Sequence, residues 1–293
     1  SNLSETPWWQ DPVTISKASS QLKIKYDPLQ VNLGQFQAEV NGAQLLMSGK
    51  ASLDPLGWSF NFVGGAPAVS AETVILLWPE TLKPKSRSWF EKNVKGGTVK
   101  NLTVNAQKIV GAEPTLASSF QFDNADVRFM RLMPDIVDGV GYGNFEENVF
   151  SLILQTGHVE AAVGGNIILD GSGLRVPDVR VPNPPATFTI NGRGSMHAAM
   201  SILDTEPFKM ISKANRDVGD VSGHIAFKAR LDTWLKKGVK PEDLNYDVVG
   251  VLQNVRSEVL VPGRVLTAKS MAFSADPTGL QVSGHGKLSG IPF

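Results

Sequence analysis

The chain has 293 residues, 42% of them hydrophobic, with 28 basic and 28 acidic residues, a formal net charge of +0 and no cysteine. There is ample apolar material for a large core, as one long domain or two, and balanced charge gives no overall field for nucleic acid, so no nucleic-acid partner is expected. The absence of cysteine excludes disulfides and thiolate chemistry, and no run of about 18 apolar residues is present to span a bilayer as a helix.

At the N-terminus, Ser1-Asn2 has neither the basic nor the apolar region of a signal peptide. It reads as a cleavage scar and the chain as an excised fragment. Period-two alternation then dominates, the pattern of strands with one apolar and one wet face. Leu22, Ile24 and Tyr26 alternate with Lys23 and Lys25; Trp58, Phe60 and Phe62 alternate with Ser59 and Asn61. The same period predicts half-buried strands through Leu102, Val104 and Ala106, through Phe120 and Phe122, and through Phe150, Leu152 and Leu154. It returns at Ile225, Phe227, Ala229 and Leu231, and at Leu280 and Val282.

Helical signals are few. Ser70 is placed to cap a short helix through Leu77, with Glu72 in its first turn where the dipole favours negative charge. Pro84 opens a second helix at a position where its missing N–H costs nothing, and Gly96-Gly97 closes it. Trp89, Phe90 and Val94 make the apolar, docking face of that helix, leaving Lys85, Arg87, Glu91 and Lys92 for water. A third helical module is expected around Ala198 to Ala214, interrupted by Pro207. The passage Val176 to Phe188 carries four prolines, each without a ladder donor, and is expected to be an edge or a crossing loop.

The 28 glycines and the steps Asn41-Gly42, Asp138-Gly139, Asp170-Gly171 and Asn191-Gly192 fit tight turns of an antiparallel meander. Val221 to His224 and Val282 to His285 repeat the four residues VSGH, a hint of a recurring strand-opening unit. Gly139 to Gly143 reads as a flexible turn and Ser283 to Gly290 as a Gly-rich strand, since neither has the setting of a phosphate-binding loop.

Residues able to do chemistry are scattered. His158, His197, His224 and His285 lack metal-site spacing, the acidic pairs Glu146-Glu147 and Glu242-Asp243 read as solvated charge, and no nucleophile elbow is present. No cofactor, metal or catalytic residue is expected, and the chain is read as not an enzyme.

The segment LLWPETLKPKSRSWFEKNVKGGTV, Leu76 to Val99, joins a tryptophan-proline step, a basic turn, a Trp-bearing helix and a Gly-Gly exit into a strand. It resembles the central domain of YhdP-type proteins in the AsmA-like superfamily. Phe120 to Phe145, Ile202 to Ile211, Val239 to Val255 and Gly279 to Pro292 follow in that family's order, and Gly49 to Phe62 is similar to the shorter AsmA-type strand repeat. The resemblance implies a mainly β fold: a long curved antiparallel sheet, a groove-forming meander with a few short helices. From periodicity alone, a two-layer β-sandwich is the alternative. It divides the chain into an AsmA-type repeat segment at 1–66, a helical module at 67–97 and a YhdP-type β-rich domain at 98–293.

The resemblance further implies a segment of a periplasmic bridge-like lipid transporter, anchored to the inner membrane through other domains of the full-length protein. Its partners would be phospholipid acyl chains. The candidate groove residues are Leu22, Ile24, Phe60, Phe62, Leu102, Val104, Phe120, Phe122, Leu152, Leu154, Ile225, Phe227, Leu231, Leu280 and Val282. A periplasmic scaffold that holds envelope proteins by strand addition is the second expectation. An enzyme of envelope lipid or glycan is the third and has no supporting constellation.

Overall fold

The computed structural model describes residues 13–129, 133–205, 209, 212, 221–236, 238, 243–258, 261 and 263–293. Ser1-Asn2, Pro207 and Ala214 lie outside the described residues. Contacts divide the chain into two compact units, Ser1–Asp126 with Tyr142–Asn148, and Val127–Gly141 with Val149–Phe293. In chain order the first part runs β1 (Lys17–Tyr26), β2 (Leu29–Val40), β3 (Ala43–Asp54), β4 (Gly57–Ser70), α1 (Ala71–Leu77), α2 (Pro84–Asn93), β5 (Val94–Lys108) and β6 (Thr115–Val127). It continues β7 (Ile136–Glu146), β8 (Val149–Glu160), β9 (Asn166–Ile168), β10 (Ser172–Val176), β11 (Pro185–Ser195) and α3 (Met196–Leu203). The last strands are β12 (Val221–Trp234), β13 (Asn245–Ser257), β14 (Leu266–Asp276), β15 (Gly279–Leu288) and β16 (Ile291–Pro292).

The described strands form one long sixteen-strand antiparallel meander, and the three helices are short. Spatial order follows chain order, except that β9 stands off the path and pairs with both β8 and β11. One sheet takes the place of the two-layer sandwich.

Local chemistry explains the tight turns. Asn41 and Gly42 sit at φ 48° and 76°, the left-handed pair that a two-residue hairpin requires, and they join β2 to β3. Asp54-Pro55-Leu56-Gly57 and Asp276-Pro277-Thr278-Gly279 are two copies of one hairpin. In the first, Leu56 N–H donates to Asp54 Oδ1 at 3.0 Å; in the second, the Thr278 and Gly279 N–H groups donate to Asp276 Oδ1 at 2.7 and 3.2 Å. The carboxylate does the work of a backbone turn in both.

Asp170-Gly171 is the turn expected between β9 and β10, but two other steps are not turns. Asp138-Gly139 lies inside β7, where Asp138 takes φ 54°, and Asn191-Gly192 lies inside β11. The stretch Gly139 to Gly143, expected as a flexible turn, belongs to the same strand β7. At Gly143 and Gly192 the missing side chain makes room for a phenylalanine ring within the strand. The Pro-rich passage is also divided. Val176 ends β10 and Pro185 starts β11, so Pro185 to Phe188 lie in a strand bonded on both sides. A proline at the first residue of a strand gives up no essential ladder bond.

Helix α1 starts where its cap dictates: the Ser70 hydroxyl accepts from Thr73 N–H at 3.2 Å. Its other end is closed from a distance. Arg87 of α2 donates through Nε to Trp78 O at 3.0 Å and through Nη2 to Ile75 O at 3.3 Å, an oxygen that also accepts from Trp78 N–H at 3.3 Å, so a cation sits at the negative end of the helix. Arg87 was expected in water; its side chain is 19% exposed and turned inward. Trp89, expected as the docking residue, is 48% exposed, while Phe90 packs its ring 6.1 Å from that of Trp78. Helix α2 therefore docks through Arg87 and Phe90, and Val94 is its C-cap and the first residue of β5. Since the face of a short helix depends on where its first turn lands, one step of phase exchanged Trp89 for Arg87.

Helix α3 begins at Met196, two residues before the expected start. The Ser195 hydroxyl accepts from Ala198 N–H at 2.9 Å and donates to Gly164 O at 2.7 Å. Gly164 has φ +89°, and a Cβ there would lie 2.4 Å from Ala198 N, so the loop presses backbone to backbone against the start of the helix.

Candidate functional site

In an antiparallel pair, residues directly opposite share a face, so the pairing register reads out which side chains form one surface. In the unit containing β8 to β15, four rows run across the strands on one face. Leu152, Leu174, Phe188, Leu231 and Tyr246 are successive partners on β8, β10, β11, β12 and β13. Ile190, Ala229, Val248, Ala275 and Leu280 follow on β11 to β15. Then come Gly192, Phe227, Gly250, Phe273 and Val282, and finally Gly194, Ile225, Leu252, Met271 and Gly284. Seven strands in spatial order contribute, about 29 Å of width at roughly 4.8 Å per strand.

The opposite face of the same strands is wet. Asn191, Lys228, Val249, Ser274 and Gln281 form one row there, and Thr189, Arg230 and Asp247 another. Arg193 pairs with Asp170 at 2.7 Å and Arg230 with Asp232 at 2.8 Å.

The other unit repeats the design. Leu22, Leu33, Gly49, Phe62 and Ala106 form one row across β1 to β5, and Ile24, Val31, Ala51, Phe60 and Lys108 the next. Phe36, Met47, Gly64 and Val104 make a third, and Ala66 lies opposite Leu102. Lys23, Asn32, Lys50, Asn61 and Gln107 occupy the wet side.

Each apolar face is closed at one end by a helix. Under α3, the buried cluster Met196, Val221, Leu252, Val255, Leu266, Ala268 and Met271 seals one end, Val176 and Ala186 are buried toward the other, and Leu280 (64%) and Val282 (45%) are exposed at the β15 edge. Under α1, the smaller cluster Ala43, Ala66 and Val69 packs with Val74 and Leu77, while Met47, Leu53 and Trp58 are exposed. Polar atoms intrude at few points of the β8 to β15 face. Ser172 accepts from Asn191 N–H at 3.0 Å, Tyr246 carries a hydroxyl, and Thr233 Oγ1 is buried with no hydrogen-bond partner among the described residues.

The sequence-derived residues are distributed as follows. Phe60, Phe62, Leu102 and Val104 are half-buried on the first face, and Leu152, Ile225, Phe227 and Leu231 on the second; Leu154 is buried. Phe120 and Phe122 are half-buried on β6, alternating with Gln121, whose amide oxygen accepts from Asn101 Nδ2 at 2.9 Å. Leu22, Ile24 and Tyr26 were expected half-buried but are exposed, because β1 is the last described strand in the order and has one neighbour. Leu280 and Val282 are exposed on β15 in the same way, with only the two-residue β16 beyond them.

Sequence reasoning missed Leu174, Phe188, Ile190, Tyr246, Val248, Met271 and Phe273. Phe273 and Met271 carry the period-two signal. In β13 the run Val248, Val249, Gly250, Val251, Leu252 is apolar in both phases, and only the register assigns Val249 and Val251 outward.

Charge lies elsewhere. Arg230, with help from the Thr187 hydroxyl at 2.5 Å, holds the Asp232 carboxyl below the usual carboxylate range. Lys100 does the same to Asp123, and Thr278 to Asp276. Shallow hollows of about 350 Å³, beside Asn32, Ser48 and Lys50, and about 240 Å³, beside Asp232, Trp234 and Asn245, are lined largely by polar-face residues. Among the described residues no three of His, Asp and Glu are grouped to hold a metal, and no helix is long and apolar enough to cross a membrane. What the apolar rows offer chemically is largely shelter for hydrocarbon, with Tyr246 and Lys108 as polar members.

Compared with known protein families, curated proteins and solved structures, the chain has no significant match in any of the three. Function therefore has to be inferred from the chemistry of the sheet.

Proposed function

We propose that this chain is a segment of a periplasmic bridge-like lipid transporter, which shelters phospholipid acyl chains on its apolar sheet faces as they pass between inner and outer membranes. The observation that carries the reading is the in-register apolar face across β8 and β10 to β15, half-buried through its rows, exposed at the β15 edge and backed by a wet face. Sheltering an acyl chain is worth about 0.8 kcal/mol per CH₂. The face is about 29 Å wide across the strands, against about 15 Å for the depth of one bilayer leaflet, so a tail laid across the strands fits within it. Passage also requires weak, repeated contacts, which rows of Val, Leu, Ile, Ala and Phe supply and a deep polar pocket would not. The periplasmic setting and the two-membrane route rest on the resemblance of Leu76 to Val99 and the segments downstream to YhdP-type proteins.

Native mass spectrometry of detergent-free protein, followed by lipid extraction, tests this reading. Co-purifying phospholipid is the expected outcome; a lipid-free mass in every preparation overturns it. One observation favours a second reading, a scaffold that adds strands from envelope proteins: all ten residues of β1 are exposed, including Leu22, Ile24 and Tyr26. A lipid-free protein that captures extended peptides along β1 would support it.

A further inference from the structure

The row Gly192, Phe227, Gly250, Phe273, Val282 alternates glycine and phenylalanine across β11 to β14. Glycine inside a strand costs roughly 0.5–1 kcal/mol relative to alanine, so its presence needs a reason. Backbone conformation is not that reason, because neither Gly192 nor Gly250 has a positive φ. The space above Gly192 is filled by a ring from the next strand, and that above Gly250 by a ring together with the Ala226 carbonyl oxygen, 2.6 Å from the position of a Cβ. A Cβ on Gly192 would lie 2.2 Å from Phe227 Cζ and 2.3 Å from its Cε1; one on Gly250 would lie 2.5 Å from Phe273 Cε1 and 2.6 Å from its Cζ. Both rings reach the same way, each over the strand before its own. In the other unit Phe120 of β6 covers Gly143 of β7, the strand after its own, with Cζ 2.5 Å from the position of a Cβ.

A phenylalanine that lies over a glycine projects less from the sheet than one standing between two side chains. Resting on the lipid-transfer reading above, we infer that Gly192 and Gly250 set the depth of the acyl-chain path by letting Phe227 and Phe273 lie down on the sheet. A Cβ at either position lifts the ring into the path. The face would then be interrupted midway along its strands, between the row of Ile190 and the row of Ile225.

The test uses phosphatidylglycerol carrying one pyrene-labelled acyl chain, titrated into wild type, Gly192→Ala, Phe227→Ala and the double variant, with thermal melting followed in parallel. Gly192→Ala is expected to weaken probe binding at least tenfold. Phe227→Ala, which removes a ring from the apolar face itself, is expected to bind more weakly than wild type but more tightly than Gly192→Ala, and the double variant to return to within twofold of Phe227→Ala. A folded Gly192→Ala that binds as wild type overturns the inference, as does a double variant that stays as weak as Gly192→Ala, because a purely structural pairing does not predict rescue of binding by removing the ring. If Gly192→Ala alone does not fold, the double variant decides: binding within twofold of Phe227→Ala supports the inference and loss of binding overturns it. Wild type that binds no probe contradicts the lipid reading itself, and the inference with it; wild type that binds while the glycine variants are indifferent contradicts only the inference.

Discussion

The two units close their apolar faces with the same device and to different extents. In each, a strand runs into a serine that caps a short helix, β4 into Ser70 and α1, β11 into Ser195 and α3, and the helix folds onto one end of the face. Under α3 the seal contains Met196, Leu252, Leu266 and Met271; under α1 it is made of Ala43, Ala66 and Val69, and Arg87 from α2 bonds to the end of the helix. Helix α3 puts Met196 into a large cluster, whereas α1 packs Val74 and Leu77 on small residues and also receives Arg87 from its neighbour. In both units, rows beyond the helix are left half-buried or exposed, a pattern in which the helices seal ends and leave the faces available.

The comparison is tested most strongly in the two seals. Met196→Ala should cost about 2–5 kcal/mol in urea denaturation, whereas Val69→Ala should cost roughly 1.5 kcal/mol. Equal costs would mean that the seals are equivalent. Next, Phe90→Ala is expected to destabilise by about 2 kcal/mol, below the ~3–5 of a fully buried ring, and by more than Trp89→Ala, whose indole is half in water. The reverse order would put the docking face of α2 back on Trp89. Ser70→Ala and Ser195→Ala should each cost about 1 kcal/mol, the second more because the Ser195 hydroxyl also holds Gly164 O.

The smallest effect is a pH dependence confined to the wet face. The Asp232 carboxyl is held low by Arg230 and Thr187, so its contribution is present above the ordinary carboxylate value of about 3.9 and lost as pH falls through the lower folded value. Asp232→Asn should therefore cost under about 1 kcal/mol at pH 7 and nothing at the most acid pH where the protein stays folded. A cost that grows toward acid pH would reverse the assigned sign.

Much of the fold was legible in the sequence where signals are local. The Ser70 cap, the Pro84 start, the hairpin at Asn41-Gly42 and the strand phase of Leu102 to Ala106 and Ile225 to Leu231 all follow from neighbours within a few residues. What was not legible depends on distant partners. The exposure of Leu22 and Ile24 comes from the place of β1 in the strand order, not from their alternation with lysine. The inward turn of Arg87 depends on the carbonyls of a different helix. Asn191-Gly192 has the composition of a turn, yet the glycine serves Phe227, which lies 35 positions along the chain on β12.

The central claim, that the apolar rows carry lipid and are not an ordinary core, is tested most directly by photo-crosslinking at Phe227 and Lys228 in cells making the full-length protein. One step along β12 moves a side chain from the apolar row to the wet row, so the two positions share every condition except the face. Lipid captured at position 227 and little at 228 is the expected result, with Phe60 and Asn61 giving an independent copy in the other unit. Crosslinks from 227 and 60 to protein alone would make the rows a closed core and contradict the transporter reading.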